Sequence, residues 1–134
     1  MIAIQPCPST DTDWAGACRP AAVRVLVVED EPVVAMCLED MLDAIGCTPI
    51  GPVARLDEGL ALARSADFDI AILDINLSGE RSTPIAALLR DRGIPFAFAS
   101  GYGSPPEGFE DSRLLGKPYR QQEVAALLDA LRRG

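Results

Sequence analysis

Residues 23–31 read VRVLVVEDE, an apolar run that ends in an acidic turn. The run from Val23 to Val28 is rich in β-branched residues and too short for a buried helix, which is typical of a strand covered on both faces. It therefore predicts a central strand of a parallel sheet. The acidic turn that follows it, residues 29–31, would then lie at the carboxyl end of that strand.

The rest of the chain alternates helical and strand patterns. The run IAILDI, Ile70 to Ile75, predicts a second doubly buried strand, which Asp74 interrupts near its carboxyl end. A helix is expected from Pro32 to Gly46, with an apolar face formed by Val33, Val34, Cys37, Leu38, Met41, Leu42 and Ile45. The other predicted elements are strands at Thr48 to Val53 (near an edge), Phe96 to Ala99 and Arg113 to Gly116, and helices at Leu56 to Ala63, Ile85 to Leu89 and Val124 to Leu131.

This fivefold alternation predicts a doubly wound α/β fold, a five-stranded parallel sheet with helices on both faces, because right-handed crossovers leave few other topologies. In such sheets the functional crevice lies at the carboxyl ends of the strands. The segment Gly101 to Asp111 (GYGSPPEGFED) has several glycines and prolines and no amphipathic stripe. We expect a loop there, or at most a short helix.

Composition excludes several classes of function. The 134 residues hold 12 Lys plus Arg against 20 Asp plus Glu, a net charge of −8, so nucleic-acid binding is not expected. No apolar stretch approaches the ~18 residues that span a bilayer, so we expect no membrane insertion. With no histidine, the chain has no Ser-His-Asp triad, Cys-His nucleophile, Cys/His zinc site or phosphohistidine of its own.

The cysteines and the N-terminus suggest a cytoplasmic protein with an extension. Cys7, Cys18, Cys37 and Cys47 have no CxxC spacing, and there is no export signal, so we interpret them as cytoplasmic thiols. Cys37 and Cys47 are expected to serve as small core residues. Residues 1–22 hold three prolines and no periodicity, so we predict a flexible N-terminal extension at 1–22 and one domain at 23–134.

The candidate functional residues stand at or just after the carboxyl ends of the predicted strands. Glu29 and Asp30 follow the first strand, Asp74 ends the third, Ser100 follows the fourth and Lys117 follows the fifth. Three carboxylates at one sheet edge repel each other, and a hard divalent cation, most plausibly Mg²⁺, relieves that repulsion. Lys117 is the only lysine of the chain and suits a phosphoryl oxygen or a carboxylate.

Each of these residues also has a structural interpretation. Glu29 and Asp30 would suit a helix start, Ser100 a turn, and Lys117 an ion pair with Asp74. Asp74 is the hardest to explain structurally, because a carboxylate inside an apolar strand costs several kcal/mol unless it is paired or bound to a metal.

Four motifs, in this order, resemble the signature of response-regulator receiver domains: VLVVEDE at 25–31, LDINL at 73–77, Ser100, and KPY at 117–119. The resemblance covers residues 23–134 and implies a flavodoxin-like receiver fold with strand order 2-1-3-4-5. It also implies that Asp74 accepts a phosphoryl group, Ser100 is the switch hydroxyl and Lys117 contacts the phosphoryl group. Glu29, Asp30, Asp74 and the backbone carbonyl of Asn76 would bind Mg²⁺.

The stretch PFAFASGYG at 95–103 resembles the motif of the receiver subfamily known as FAT GUY. That subfamily is associated with histidine kinases of the HWE and HisKA2 types, so the resemblance implies such a kinase as partner. Many receivers have a switching aromatic residue three positions before the lysine, where this chain has Leu114. Tyr102 is instead expected near the mouth of the site, where packing and switching are equally plausible roles.

Two other functions compete with a signalling receiver. An aspartyl-nucleophile phosphatase needs an acid two residues after the nucleophile, where this chain has Asn76. A pseudo-receiver that binds partners without phosphorylation should lack one of Asp30, Asp74 or Lys117, and the chain has all three.

We expect a stand-alone regulator, because no output domain follows Gly134. It would catalyse only its own phosphotransfer and dephosphorylation, and would act on a downstream target protein or exchange phosphate with a histidine phosphotransfer protein. Phosphorylation is expected to order the loop from Gly101 to Asp111.

Overall fold

The computed structural model describes residues 23–101 and 104–133. The predicted extension at 1–22 and the predicted position of Tyr102 lie outside the described residues.

The described residues form the elements β1 Arg24–Val28, α1 Pro32–Ile45, β2 Thr48–Val53, α2 Leu56–Ser65, β3 Ile70–Asp74, β4 Asn76–Leu77, β5 Glu80–Arg81, α3 Thr83–Arg92, β6 Phe96–Ser100, β7 Arg113–Gly116 and α4 Gln121–Arg133. Five parallel strands form the main sheet, in the order β2-β1-β3-β6-β7. The two short strands β4 and β5 form a separate antiparallel hairpin, so the main-sheet strands have the predicted order 2-1-3-4-5. The predicted doubly wound fold is therefore confirmed.

Two apolar layers cover the sheet, one on each face. On one face α1 and α4 pack through Leu38, Leu42 and Leu128 against β1 and β3. On the other face α2 and α3 pack through residues such as Ala63 and Ile85. β3 is buried along its whole length because it lies between β1 and β6 and under both layers. This explains why its sequence is a continuous apolar run. No helix among the described residues is long and apolar enough to cross a membrane.

The apolar face predicted for α1 is partly wrong. The buried stripe consists of Ala35, Leu38 and Leu42, whereas Val33 is 72% exposed and Cys37 is exposed too. At about 100° per residue, Val33 and Cys37 lie on the side of the helix opposite that stripe. The predicted face spanned about half of the helix circumference, and its edge at Val33 and Cys37 is not covered by the core. The core role expected for Cys37 is therefore wrong.

Cys47 is half-buried and packs against the core layer of α1 and α4, as expected.

The hairpin of β4 and β5 was missed by the sequence analysis. Its strands have two residues each, and the turn between them has positive φ at Ser78 (54°) and Gly79 (93°). Positive φ at both central residues is the geometry of a type I′ hairpin turn. Strands of two residues are too short to produce a detectable alternation of apolar and polar residues.

The segment between β6 and β7 contains no helix in its described part, 104–112, as predicted. Phe109 fixes the end of this segment: it is 7% exposed and packs edge-to-face against Phe96 and Phe98, at centroid distances of 6.2 and 5.6 Å. The Arg90 guanidinium of α3 lies 4.2 Å from the centroid of the Phe109 ring and donates a hydrogen bond to the Gly108 carbonyl.

We predict that Gly59→Val destabilises the protein by about 2 kcal/mol. A Cβ at Gly59 in α2 would lie 2.5 Å from Cδ1 of the buried Ile85 in α3, so a branched side chain has to displace that methyl group within the packed layer between the two helices. The matched control is Ala61→Val in the same helix, where the position is exposed and only the helix propensity, about 0.5 kcal/mol, is lost. Urea unfolding measures both; equal losses would contradict the close packing of α2 on α3.

Candidate active site

The carboxyl ends of the strands bring the residues predicted from sequence to one edge of the sheet. A cavity of about 720 Å³ opens there. Five of the six predicted site residues line it, namely Asp30, Asp74, Asn76, Ser100 and Lys117. The sixth, Glu29, lies beneath them and is only 3% exposed.

Lys117 is at the centre of the charge network. Its Nζ lies 3.0 Å from Oε1 of Glu29 and 3.3 Å from Oδ1 of Asp74. A third carboxylate, that of Glu31, is 3.8 Å away. Burial alone would lower the pKa of Lys117, but the carboxylates of Glu29 and Asp74 outweigh it and raise the pKa. Lys117 is therefore a fixed positive charge.

Three carboxyl groups form a tight acidic cluster. One oxygen each of Glu29, Asp30 and Asp74 lie within 4.8 Å of one another. Glu29 is held in this cluster from below, because the buried Tyr119 hydroxyl donates a hydrogen bond to its Oε1 at 3.2 Å. Burial and the neighbouring Glu29 carboxylate raise the pKa of Tyr119, so this hydroxyl stays protonated.

Asp30 is oriented by the hairpin of β4 and β5. The backbone N–H and the hydroxyl of Ser78 both donate to Oδ2 of Asp30, each at 3.0 Å. Burial opposes ionisation of Asp30, but hydrogen bonds from Asp74 and Ser78 outweigh it and lower its pKa. Asp30 therefore carries an ionised carboxylate at the edge of the cavity.

Asp74 behaves differently from Asp30. Burial and the hydrogen bond and charge of Glu29 raise the pKa of Asp74 to about 7, and Lys117 offsets only part of this effect. One lysine thus does not balance the three carboxyl groups. A divalent cation fits this deficit, because the available donors are carboxylate oxygens, which are the ligands that Mg²⁺ and Ca²⁺ prefer.

Asn76 and Ser100 lie at the cavity wall. The side-chain oxygen of Asn76 accepts a hydrogen bond from the Gly79 N–H at 2.9 Å, within the hairpin. The Ser100 carbonyl accepts from the Lys117 N–H at 3.0 Å, which ties the ends of β6 and β7 together.

Sequence reasoning missed two residues that support the site, Tyr119 and Ser78. Tyr119 had a signal, because it completes the KPY motif in which only the lysine was assigned a role. Ser78 had a weaker signal, the Ser-Gly pair typical of a tight turn.

The fold and this acidic site together are those expected of a receiver domain. The family model of the response regulator receiver domain matches residues 25–111, and the chain belongs to that family, which acts in two-component signalling.

The chain is similar to two regulators, SdrG and PhyR. It shares 44% identity with SdrG from Sphingomonas melonis Fr1 in its solution structure, over 84% of this chain and 98% of that one, with a TM-score of 0.76. A BeF3-activated conformation of SdrG matches with a TM-score of 0.71 at 42% identity, over the same shares. The regulator PhyR of Methylorubrum extorquens is 30% identical in an alignment of 116 residues that covers 80% of this chain and 42% of PhyR. The likeness to SdrG and PhyR is consistent with the subfamily indicated by PFAFASGYG.

A third relative shows the fold alone. The receiver domain of the sensor histidine kinase PA1611 from Pseudomonas aeruginosa PAO1, solved with a magnesium ion coordinated in its active site cleft, is 21% identical. It matches 85% of this chain and 100% of that domain, with a TM-score of 0.72.

We predict that Asp74→Asn makes the metal-free protein more stable at pH 8 than the wild type, by about 1 to 3 kcal/mol, and changes stability little at pH 4. The folded-state pKa of Asp74 is raised from 3.8 to about 7. Protonated Asp74 therefore contributes its full stability to the wild type below about pH 4. This contribution to the free energy of unfolding is lost as the pH rises through 7 and the carboxyl group ionises.

Urea unfolding in EDTA at pH 4, 6 and 8 measures this effect. Asp91→Asn on the exposed side of α3 is the control, and its stability should follow the wild-type pH dependence. If Asp74→Asn also follows the wild-type curve, the carboxyl group of Asp74 is not destabilised by its surroundings.

Proposed function

We propose that this receiver accepts a phosphoryl group on Asp74 from a phosphohistidine of a partner kinase, in a reaction that requires Mg²⁺. The observation that carries this proposal is the position of Asp74. Its carboxyl group ends a fully buried strand, lies 3.3 Å from the only lysine of the chain and shares a cluster with two further carboxylates.

Each residue of the site would have its own role in the phosphoryl transfer. A carboxylate oxygen of Asp74 forms the bond to phosphorus while the bond from phosphorus to the donor nitrogen breaks, and the leaving imidazole keeps that electron pair. Lys117 lies beside the nucleophile and offsets the charge of the phosphoryl oxygens. Glu29, Asp30, Asp74 and the backbone carbonyl of Asn76 would hold Mg²⁺, which would supply further positive charge to the phosphoryl group.

Magnesium is the favoured cation for two reasons. The donors are oxygens, and the protein offers few of them, as Mg²⁺ sites do when water and phosphate complete the coordination. The PA1611 receiver shares the fold and binds magnesium in its cleft.

The two competing functions have less support. A phosphatase of the aspartyl-nucleophile type needs a general acid near position 76, and Asn76 cannot supply a proton in that way. A receiver that works without phosphorylation has no need of Asp30, Asp74 and Lys117 together, yet these three residues line one cavity.

The similarity to SdrG and PhyR and the PFAFASGYG motif support a histidine kinase of the HWE or HisKA2 type as donor. A downstream target protein or a histidine phosphotransfer protein would receive the signal. We propose that the signalling unit is the domain at 23–134, with residues 1–22 as an extension, and that it works in the cytoplasm.

The structural change that transmits the signal would start at Ser100. We propose that its hydroxyl moves toward the phosphoryl group and changes the following loop. Phe109 is packed against Phe96 and Phe98, so the change should be concentrated in residues 101–108 rather than extend to Asp111.

We predict Mg²⁺-dependent phosphorylation of Asp74 by acetyl phosphate, read as an 80-dalton mass increase by intact-mass spectrometry, about the mass of one phosphoryl group. Asp74→Asn and the addition of excess EDTA should each abolish the increase, because one removes the nucleophile and the other the cation. The control, Asp91→Asn, should be labelled like the wild type. Undiminished labelling of Asp74→Asn would contradict the assignment of Asp74 as the phosphoacceptor. Labelling in EDTA would contradict the requirement for Mg²⁺.

We predict that Asp30→Asn weakens Mg²⁺ binding at least about tenfold, because it removes a charged ligand from a site with few protein ligands. Calorimetric titration measures the affinity. Glu31→Gln is the matched control: it removes the same charge at the cavity wall from a residue outside the acidic cluster, and should weaken binding less than about threefold. Equal losses for both variants would mean that only the total charge matters.

A further inference from the structure

The cavity above Asp74 is lined by two basic residues, and the proposed function uses only one of them. The second is Arg81, in β5. Its side chain is exposed, and no hydrogen bond or ion pair joins it to another group among the described residues. Arg24 and Arg55, by contrast, form ion pairs with nearby aspartates.

The backbone of Arg81 is fixed relative to the site. Arg81 pairs with Asn76 across the hairpin, and Asn76 is two residues beyond Asp74. The hairpin is tied down at its turn by the two hydrogen bonds from Ser78 to Asp30, and at its base by a hydrogen bond of 2.9 Å from the Ser82 N–H to the Ile75 carbonyl. An exposed arginine with an anchored backbone thus lines a cavity that also has three acidic residues, Asp30, Glu31 and Asp74, in its wall.

The balance of charges in the cavity suggests a role for the guanidinium group of Arg81. The ammonium of Lys117 already lies within 3.8 Å of three carboxylates, so it offers only part of its charge to a ligand. A phosphoryl group brings up to two further negative charges into the cavity. An arginine is suited to receive them, because its planar fork of N–H donors matches two phosphoryl oxygens at once.

We propose that Arg81 is a second phosphoryl-binding residue of this receiver, which contacts the oxygens of the incoming group from the hairpin side of the cavity. This inference rests on the proposed function. Arg81 neither gives nor takes a proton: the bond from phosphorus to Asp74 forms, the bond to the donor breaks, and the guanidinium keeps its hydrogens throughout. Its contribution is to bind and orient the phosphoryl group.

The test compares Arg81→Gln, Arg81→Lys and wild type, with Arg64→Gln as the control. Arg64 is an exposed arginine of α2 that does not line the cavity, so its substitution removes the same net charge elsewhere. Two quantities are measured: the second-order rate constant for labelling by acetyl phosphate, and the concentration of beryllofluoride, a phosphoryl mimic, that half-saturates the Mg²⁺-loaded protein. Mg²⁺ affinity and urea unfolding are measured on the same proteins.

For Arg81→Gln we expect the rate constant to fall about five- to tenfold and the half-saturating beryllofluoride concentration to rise by a similar factor, as for the loss of a charge-assisted hydrogen bond. Arg81→Lys should recover part of both losses, because it keeps the charge but not the fork. Arg64→Gln should match wild type in both measurements. The Mg²⁺ affinity of Arg81→Gln should stay within about twofold of wild type, and its urea midpoint should be unchanged, as expected for an exposed side chain.

The other outcomes overturn the proposal in distinguishable ways. If wild type is not labelled, the proposed function fails, and the role of Arg81 fails with it. If wild type is labelled and Arg81→Gln matches it within twofold, only the role of Arg81 fails. If Arg81→Gln and Arg64→Gln lose labelling rate and beryllofluoride affinity equally, the effect comes from the net charge of the protein and not from Arg81 in particular. If Arg81→Gln loses Mg²⁺ affinity or stability, Arg81 has a structural role instead.

Discussion

The structure depends on an electrostatic constraint: three carboxyl groups and one ammonium must share the carboxyl edge of a parallel sheet. Asp74 stays there because Lys117 lies 3.3 Å from it, yet one lysine leaves the cluster short of positive charge. Such an arrangement costs stability in the free protein and favours any ligand that brings positive charge. The same repulsion that opposes folding would favour the bound cation that the proposed function requires.

The surrounding elements hold these groups in place rather than relieve the repulsion. Tyr119 donates to Glu29 from the core side, and Ser78 donates twice to Asp30 from the hairpin side. Each carboxylate therefore keeps its position when no cation is bound. Two elements outside the main sheet, the short hairpin and the turn before α4, supply these contacts. The site is preorganised by residues that carry no chemistry of their own.

The sequence predicted the main sheet and the charged centre for one physical reason. Doubly buried strands are continuous apolar runs, so an aspartate within one, such as Asp74, is conspicuous. The hairpin at 76–81 was missed, because strands of two residues leave no periodic signal. The side of α1 that faces solvent was also misjudged: Val33 and Cys37, which were predicted to lie on the apolar face, are exposed, so hydrophobicity there does not report burial. Tyr119 belongs to the KPY motif, but a single sequence does not show that its hydroxyl donates a hydrogen bond to Glu29, 90 residues away.

The segment after β6 shows how a receiver can join its site to its surface without a helix in residues 104–112. One end begins at Ser100, in the cavity wall, and the other is fixed by Phe109, which packs against Phe96 and Phe98 of β6 itself. Both ends are therefore anchored to the same strand. If phosphorylation shifts Ser100, as we propose, the buried aromatic cluster at the far end would confine that shift to the part of the segment that precedes Phe109. A partner would then recognise the changed surface of that part.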